Sequence, residues 1–465
     1  MKQEARVAAL LVALALVLSR PAAAQVDTIT RPLVESVDPR TVAPRIANDT
    51  TLSAPHHGRF LVQIETQELL RTVTARSRPV RYTIDVREGR VFDAVLHQVD
   101  VSNGRYQWGG FDPRQRRSSI ILVADAGDSS VYGVIEAGDS VYTVRQIEGR
   151  LHTLQRQARV RSPDELPPPA PAAPARDTTR IPDEVPPPTS PPGTSARPAG
   201  PAAAPPPPDP PLTTCTPERR VRILVLYSPG AERASDTMTD RISLERRAIT
   251  GIAQLNQALA SSGTIHRAEL AGIQRVEYSR DNDSLIWTLN RLRRSDATYG
   301  LGQVRQLRRD YRADIVSLWV AHPDECGIAF ISKGATTGRD SAFNIVPIRC
   351  ATLASRYSFA HEVGHNLGLD HDRANRTGGV TPILRFAYGY RDPTGVFVTL
   401  MAYRNVDRCP AGKECDRVLH FSDPDRRYRG MVSGISEVDG GPGGSAMNGR
   451  AVDRSMCRAA AWMPD

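Results

Sequence analysis

Between Ser162 and Thr214 the chain carries more than half of its 37 prolines, with Ala, Thr and Ser making up much of the rest. Proline lacks a backbone N–H and fixes φ, so neither a helix interior nor a central strand runs through such a stretch. It also has too few apolar side chains to bury a core. The segment is therefore expected to be an extended, partly polyproline tether, 162–214. Recognition of its proline runs by a partner is the alternative use of such a composition. Whatever folds in these 465 residues must fold on either side of that tether.

Before the tether, Lys2 and Arg6 precede an apolar run from Val7 to Leu18, and Ala22-Ala23-Ala24 offers small residues for cleavage before Gln25. The run is too short to span a bilayer comfortably and reads as a signal peptide, 1–24. An uncleaved anchor is the alternative. No later stretch is apolar enough to cross a membrane, so a soluble, exported chain is expected, extracellular or periplasmic. Residues 25 to about 58 read as a mostly extended arm. From Arg59 to about Gln157, short alternating runs such as Phe60–Ile64, Arg81–Val86, Ser119–Val123, Val131–Ile135 and Ser140–Val144 predict strands. Asn103-Gly104 and Gly138-Asp139 mark hairpin turns. The region 25–161 is thus expected to be β-rich. It has no cluster of metal-ligating residues, and His97 and His152 stand alone in it.

After the tether, residues 215–465 read as an α/β (α+β) domain. Val221–Tyr227 is a buried strand, and Ile242, Ile249, Ile252, Leu255 and Leu259 recur at helical spacing. Residues 264–278 alternate as a strand, helices follow around 283–295 and 301–312, and Asp314–Val320 and Phe343–Val346 are further strands. Beyond about residue 372 the pattern is irregular and rich in Gly, Pro and Asp, which suits a small C-terminal subdomain. All six cysteines lie from Cys215 onward. An even count in an exported chain implies disulfides, and the expected pairs are Cys326–Cys350, Cys409–Cys415 and Cys215–Cys457. Sequence alone leaves other pairings open.

The chemistry concentrates in Phe359–Asp372. On a helix starting near Ser355, His361 and His365 project from one face at i and i+4, the geometry of two nitrogen ligands to zinc. Glu362 lies beside them, placed to act on a metal-bound water as general base and then general acid. Gly368 can end the helix in a left-handed conformation, and His371 then returns as a third ligand. Three protein ligands leave a coordination position open, as a catalytic zinc requires. A structural zinc is the competing reading, but structural sites are usually rich in cysteine, and the cysteines lie elsewhere. Asp372 is a candidate to orient His371, and Asp370 reads as a solvent-facing residue at the helix end. The formal net charge of +9 is accompanied by no nucleic-acid motif, and the arginine clusters fall on predicted helices as solvated faces.

His361-Glu362-x-x-His365-x-x-Gly368-x-x-His371 resembles the metzincin signature, and Thr399-Leu400-Met401-Ala402-Tyr403 resembles that family's Met-containing turn. Within the family the chain looks most like the reprolysin-type branch, especially the bacterial peptidyl-Asp metalloendopeptidase-like enzymes. Cys326-Gly327-Ile328-Ala329, Cys350-Ala351, Tyr357-Ser358-Phe359-Ala360, Phe386–Tyr390 and His420–Pro424 carry that likeness, the last with Asp423 where Asn is more usual. The resemblance covers about residues 215–465. It implies a zinc endopeptidase with a horizontal cleft, a mixed sheet above the zinc helix, a smaller subdomain below, and Met401 as a packing floor. It also implies a propeptide-like role for 25–161, and a zymogen. Residues 1–214 hold no cysteine, so latency cannot come from a propeptide thiolate on the metal. Tyr403, two residues after Met401, is a candidate to assist the metal or the oxyanion, with packing below the site as its alternative. The function expected is a secreted, monomeric Zn2+ endopeptidase acting on protein or peptide. A catalytically silent zinc-containing binding module and a zinc amide hydrolase on the same fold are the alternatives.

Overall fold

The computed structural model describes residues 31–38, 41–42, 58–72, 79–86, 91–115, 117–157, 166–169, 219–332, 335–378, 382–404 and 415–463. The expected signal peptide lies outside the described residues, as does most of the tether. No described helix is long and apolar enough to cross a membrane.

The first module is a closed barrel of nine strands: β1 (Arg31–Ser36), β2 (Arg59–Ile64), β3 (Val80–Asp85), β4 (Val91–Ser102), β5 (Arg105–Phe111), β6 (Ser118–Asp125), β7 (Ser130–Ala137), β8 (Ser140–Glu148) and β9 (Leu151–Gln157). A short helix, α1 (Thr66–Leu69), follows β2. Asn103 and Gly104 both take positive φ, 52° and 71°, as a two-residue hairpin with the right twist demands. The arm expected at 25–58 is partly incorporated, because β1 pairs antiparallel with β2 and parallel with β3 and so closes the barrel. Strand alternation sorts the side chains by face. On β6, Ile120, Leu122 and Ala124 fill the barrel interior, whereas Ile121 and Val123 face outward.

Those outward residues are not exposed. Ile121, Val123, Tyr132, Val134 and Val141 share one continuous core with the second module. The joint is also polar: Arg220 makes two hydrogen bonds with Asp100 at 2.7 and 2.8 Å, and Asn256 donates to Gln107 at 3.0 Å.

The second module is mixed α/β. Its sheet has the order β11 (Ala268–Arg275), β10 (Val221–Tyr227), β12 (Ile315–Val320), β14 (Phe343–Pro347), β13 (Ile328–Ala329). The first four strands run parallel, and the edge strand β13 runs antiparallel to β14. The helices are α2 (Pro229–Thr237), α3 (Leu244–Ser261), α4 (Leu285–Arg294), α5 (Val304–Asp310), α6 (Ala335–Ser341), α7 (Ile348–Ala351), α8 (Ser358–Asn366), α9 (Glu437–Gly444) and α10 (Asn448–Ala459). Both sheet faces are covered, as parallel strands require. Leu224 and Leu226 pack with Leu285, Leu289 and Leu292 of α4, while Ile223 and Val225 pack with α3 and α8. Long α3 lies between barrel and α8; a Cβ at Gly251 would stand 2.8 Å from Phe359 Cδ1, so the two helices meet closely.

Two expectations are corrected. The site helix begins at Ser358 and not near Ser355, because Ser355 and Tyr357 take left-handed φ of 64° and 52°. The C-terminal part is not irregular throughout: α10 buries Ala451, Val452, Ser455, Met456 and Ala459, a helical stripe.

Candidate metal centre

Helix α8 carries His361, Glu362 and His365 one turn apart. It ends where Gly368 adopts φ 90° and donates to His365 O at 2.8 Å. Any Cβ there would strike Ile383 and the Ser332 carbonyl, so the turn needs glycine. The chain then enters β15 (Asp370–Asp372), paired with β16 (Tyr388–Gly389), and this pairing brings His371 back over the helix.

The three imidazoles converge. The Nε2 atoms of His361, His365 and His371 lie 3.1, 3.1 and 3.3 Å apart. Among the described residues this is the one group of His, Cys, Asp and Glu found able to hold a metal ion. The tautomers follow from the other ring nitrogens. His361 Nδ1 sits 2.8 Å from Leu400 O and His365 Nδ1 2.8 Å from Leu369 O. A carbonyl only accepts, so each Nδ1 donates and each Nε2 presents a lone pair to the centre. Burial pushes His361 and His371 well below the usual histidine range, and the Arg417 charge and the neighbouring imidazoles act in the same direction. Converging lone pairs on neutral rings repel one another unless a cation sits among them. Tetrahedral Zn–N bonds of about 2.0–2.1 Å would set nitrogens about 3.3 Å apart. The residues present fit a zinc ion.

Supporting groups are equally specific. Met401 is fully buried, and its thioether packs where a Cβ on Gly364 would otherwise stand, directly against the helix. The Tyr403 ring lies over His371 with centroids 3.9 Å apart. Glu362 is fully buried, with its carboxylate beside Gly327 at the entry to β13. Cys326 and Cys350 are joined and tie that entry to α7. Cys415 and Cys457 are also disulfide-bonded, whereas Cys215 and Cys409 lie outside the described residues.

The acids depart from expectation. Asp370 is buried, not solvent-facing: it accepts from His371 N at 2.8 Å and Thr377 Oγ1 at 2.9 Å, and its carboxylate stands 3.9 Å from His371 Nδ1. Burial raises its pKa against those hydrogen bonds. Asp372 holds Tyr403 N at 3.1 Å and Asn375 Nδ2 at 2.9 Å, and so anchors the chain leaving Met401. His420 contacts Ser433 Oγ at 2.8 Å, away from the triad. Sequence reasoning also missed Asn366. Its buried amide donates to Phe330 O and Phe343 O and accepts from Asn344 Nδ2, which pins α8 to β14. An amide on the otherwise apolar face of a helix was the available signal.

Residues 218–414 match the profile of Reprolysin_5, metallo-peptidase family M12. Over that stretch the chain is similar to metzincin-like metalloproteases. Curated relatives named peptidyl-Asp metalloendopeptidase agree: one from Stenotrophomonas maltophilia (strain R551-3) is 28% identical over 52% of this chain and 52% of its own length. Another, from Stenotrophomonas maltophilia (strain K279a), is 30% identical over 46% of this chain and 47% of its own. A third, from Xanthomonas campestris pv. campestris, is 30% identical over 39% and 40%. The chain thus spans about half the length of the curated relatives it matches. Among solved structures, a chain from "Structure of a chaperone-substrate complex" aligns with TM-score 0.39 at 18% identity, covering 54% of this chain and 40% of that one, a likeness too slight to carry an argument.

Proposed function

We propose that this protein is a secreted zinc-dependent endopeptidase in which His361, His365 and His371 hold the metal and Glu362 handles the protons. The observation that carries the reading is the triangle of three buried Nε2 lone pairs with Glu362 on the adjoining position of the same helix. Zinc, when bound, acidifies a coordinated water and polarises a carbonyl. Glu362 would serve as the base that takes a proton from the attacking water and as the acid that gives one to the leaving amine. Its buried position beside Gly327 places it next to the sheet edge β13, where an extended peptide adds as a further strand. The Tyr403 ring steadies His371, and Asp370 and the Leu369 and Leu400 carbonyls hold the ligand region in register.

The N-terminal region acts as a propeptide through its tether. Leu166 of the tether donates its N–H to Gly327 O at 2.9 Å, and Pro168 is buried. A tether segment thus occupies the edge beside Glu362 in the intact chain. Pro167, Pro168 and Pro169 offer no N–H to extend that ladder, which suits a strand that binds without being cut. Export removes residues 1–24, and the cut bond in substrates neighbours an acidic residue, as the names of the relatives suggest.

Casein cleavage that a chelator abolishes and Zn2+ restores is the direct test; activity indifferent to chelation sinks the metal reading. The chain cut within the tether should cleave casein faster than the intact chain. Equal rates would remove the propeptide assignment, and profiling the cleaved peptides would decide the preference.

A further inference from the structure

The helix bearing two of the histidines starts under strain. Tyr357, the residue before α8, takes φ 52° and ψ 37°, a left-handed conformation that bulky side chains rarely adopt. Its side-chain oxygen makes no capping hydrogen bond to α8. Instead, Tyr357 Oη donates to Glu136 Oε2 at 3.2 Å, across 221 residues, to strand β7 of the barrel. A second barrel residue reaches the same place. Arg117, at the entry to β6, donates from Nε to Asp416 at 2.7 Å. The neighbour of Asp416 is Arg417, which is buried; it donates to Arg356 O at 2.8 Å and to Ala402 O at 3.2 Å. Arg417 therefore bridges the backbone just before Tyr357 to the backbone just after Met401. The barrel grips both ends of this bridge, one through Tyr357 and one through Asp416. All five side chains line one interface cavity of about 220 Å³.

We propose that Glu136 and Arg117 of the barrel are positioning residues for the metal centre, acting through Tyr357 and the Asp416–Arg417 strand, and that the barrel stays seated as part of the working protein after the tether is cut. Tyr357 is fully enclosed, and its hydroxyl meets a barrel carboxylate and the barrel's Ser119 as well as the Ser355 backbone. Burial and the Glu136 charge keep that phenol protonated, consistent with its role as donor. The continuous apolar core across the joint makes the seating lasting, because separating the modules would expose Ile121, Val123, Tyr132 and Val134 together. The tether segment at Gly327 and the barrel thus have different jobs. One fills the peptide edge; the other sets the start of α8.

The test uses the full chain with a protease site inserted between Pro192 and Gly193, together with Glu136→Leu, Tyr357→Phe and their double variant. After tether cleavage the two pieces should co-elute on size exclusion in 1 M NaCl. In competition against a chromophoric chelator, each single variant should bind Zn2+ about 10-fold more weakly, as loss of supporting hydrogen bonds around metal sites does. The double variant should be no weaker than the worse single variant, since both remove one bond. Single variants within about 2-fold of the parent, multiplicative effects in the double variant, or a separated α/β piece with parental affinity would each overturn the proposal. The Zn2+ readout rests on the metal reading of the triad. A parent that binds no Zn2+ sinks that reading alone, and the same double-variant coupling measured in thermal unfolding then decides the Glu136–Tyr357 link.

Discussion

The barrel and the α/β domain solve the problem of sheet edges in opposite ways. In the barrel, β1 closes on β3 and every strand has two neighbours. The domain's sheet stays open, ending at the two-residue strand β13. A closed barrel leaves no unpaired backbone to recruit another chain, whereas an open edge beside Glu362 is a ready template for one. Buried polarity divides in the same way. The barrel interior is filled mainly by aliphatic and aromatic side chains, with His152 the buried titratable group of β9. The domain buries three imidazoles, three carboxylates and an amide network around one helix. Chemistry and the open edge lie together, and the closed module supplies support. If that division holds, damage to each module should read out differently.

The largest separation should come from Glu362→Gln. Loss of a general base costs on the order of 10²–10⁴ in kcat, while the Zn2+ content and unfolding midpoint stay close to those of the parent. Normal turnover in this variant would remove the catalytic assignment. Leu122→Ala should do the reverse. It truncates a fully buried side chain of the barrel interior and should cost about 2–5 kcal/mol in denaturant unfolding, with little change in kcat for chain that remains folded. A barrel indifferent to this change would not have the packed interior described.

Parts of this division were legible in the residues. Local signals did well, because the physics behind them is local. Period-two runs mark strands, and the approach of His361, His365 and His371 through Gly368 follows from helix geometry plus one turn. Closure of the barrel was not legible. It depends on β1, a single six-residue strand, finding both β2 and β3, and nothing in Arg31–Ser36 specifies two partners. The burial of Asp370 was hidden for a similar reason. An aspartate after a helix normally faces solvent, and only the return of the chain at Thr377 encloses it. Arg417 looked like any residue of a charge-rich loop, since its value lies in reaching two carbonyls, 61 and 15 residues away. The Glu136–Tyr357 contact likewise has no spacing to betray it.

The smallest effect, and the one that most sharpens the comparison, concerns acid. His152 in β9 is fully buried, and its Nδ1 donates to Arg150 O at 2.7 Å. Burial pushes its pKa down to about 4, despite that hydrogen bond. The unfolded chain therefore binds the proton first, from about pH 6.5 downward, and the barrel loses stability as pH falls from there to about 4. Asp314, between α5 and β12, runs the other way. Burial raises it from 3.8 to about 6, against hydrogen bonds from Arg222 N and Met463 N. Its contribution is fully present below pH 3.8 and is lost as pH rises through about 6. Between about pH 4 and 6 the two groups tilt their modules in opposite directions. His152→Gln should flatten the acid-side fall in Tm, and Asp314→Asn should remove the opposing slope. Both are measurable by calorimetry of the full chain at pH 7, 5.5 and 4.5. If His152→Gln leaves the acid slope intact, the barrel's sensitivity lies elsewhere. If the two variants shift the slope with the same sign, the electrostatic contrast between the modules fails.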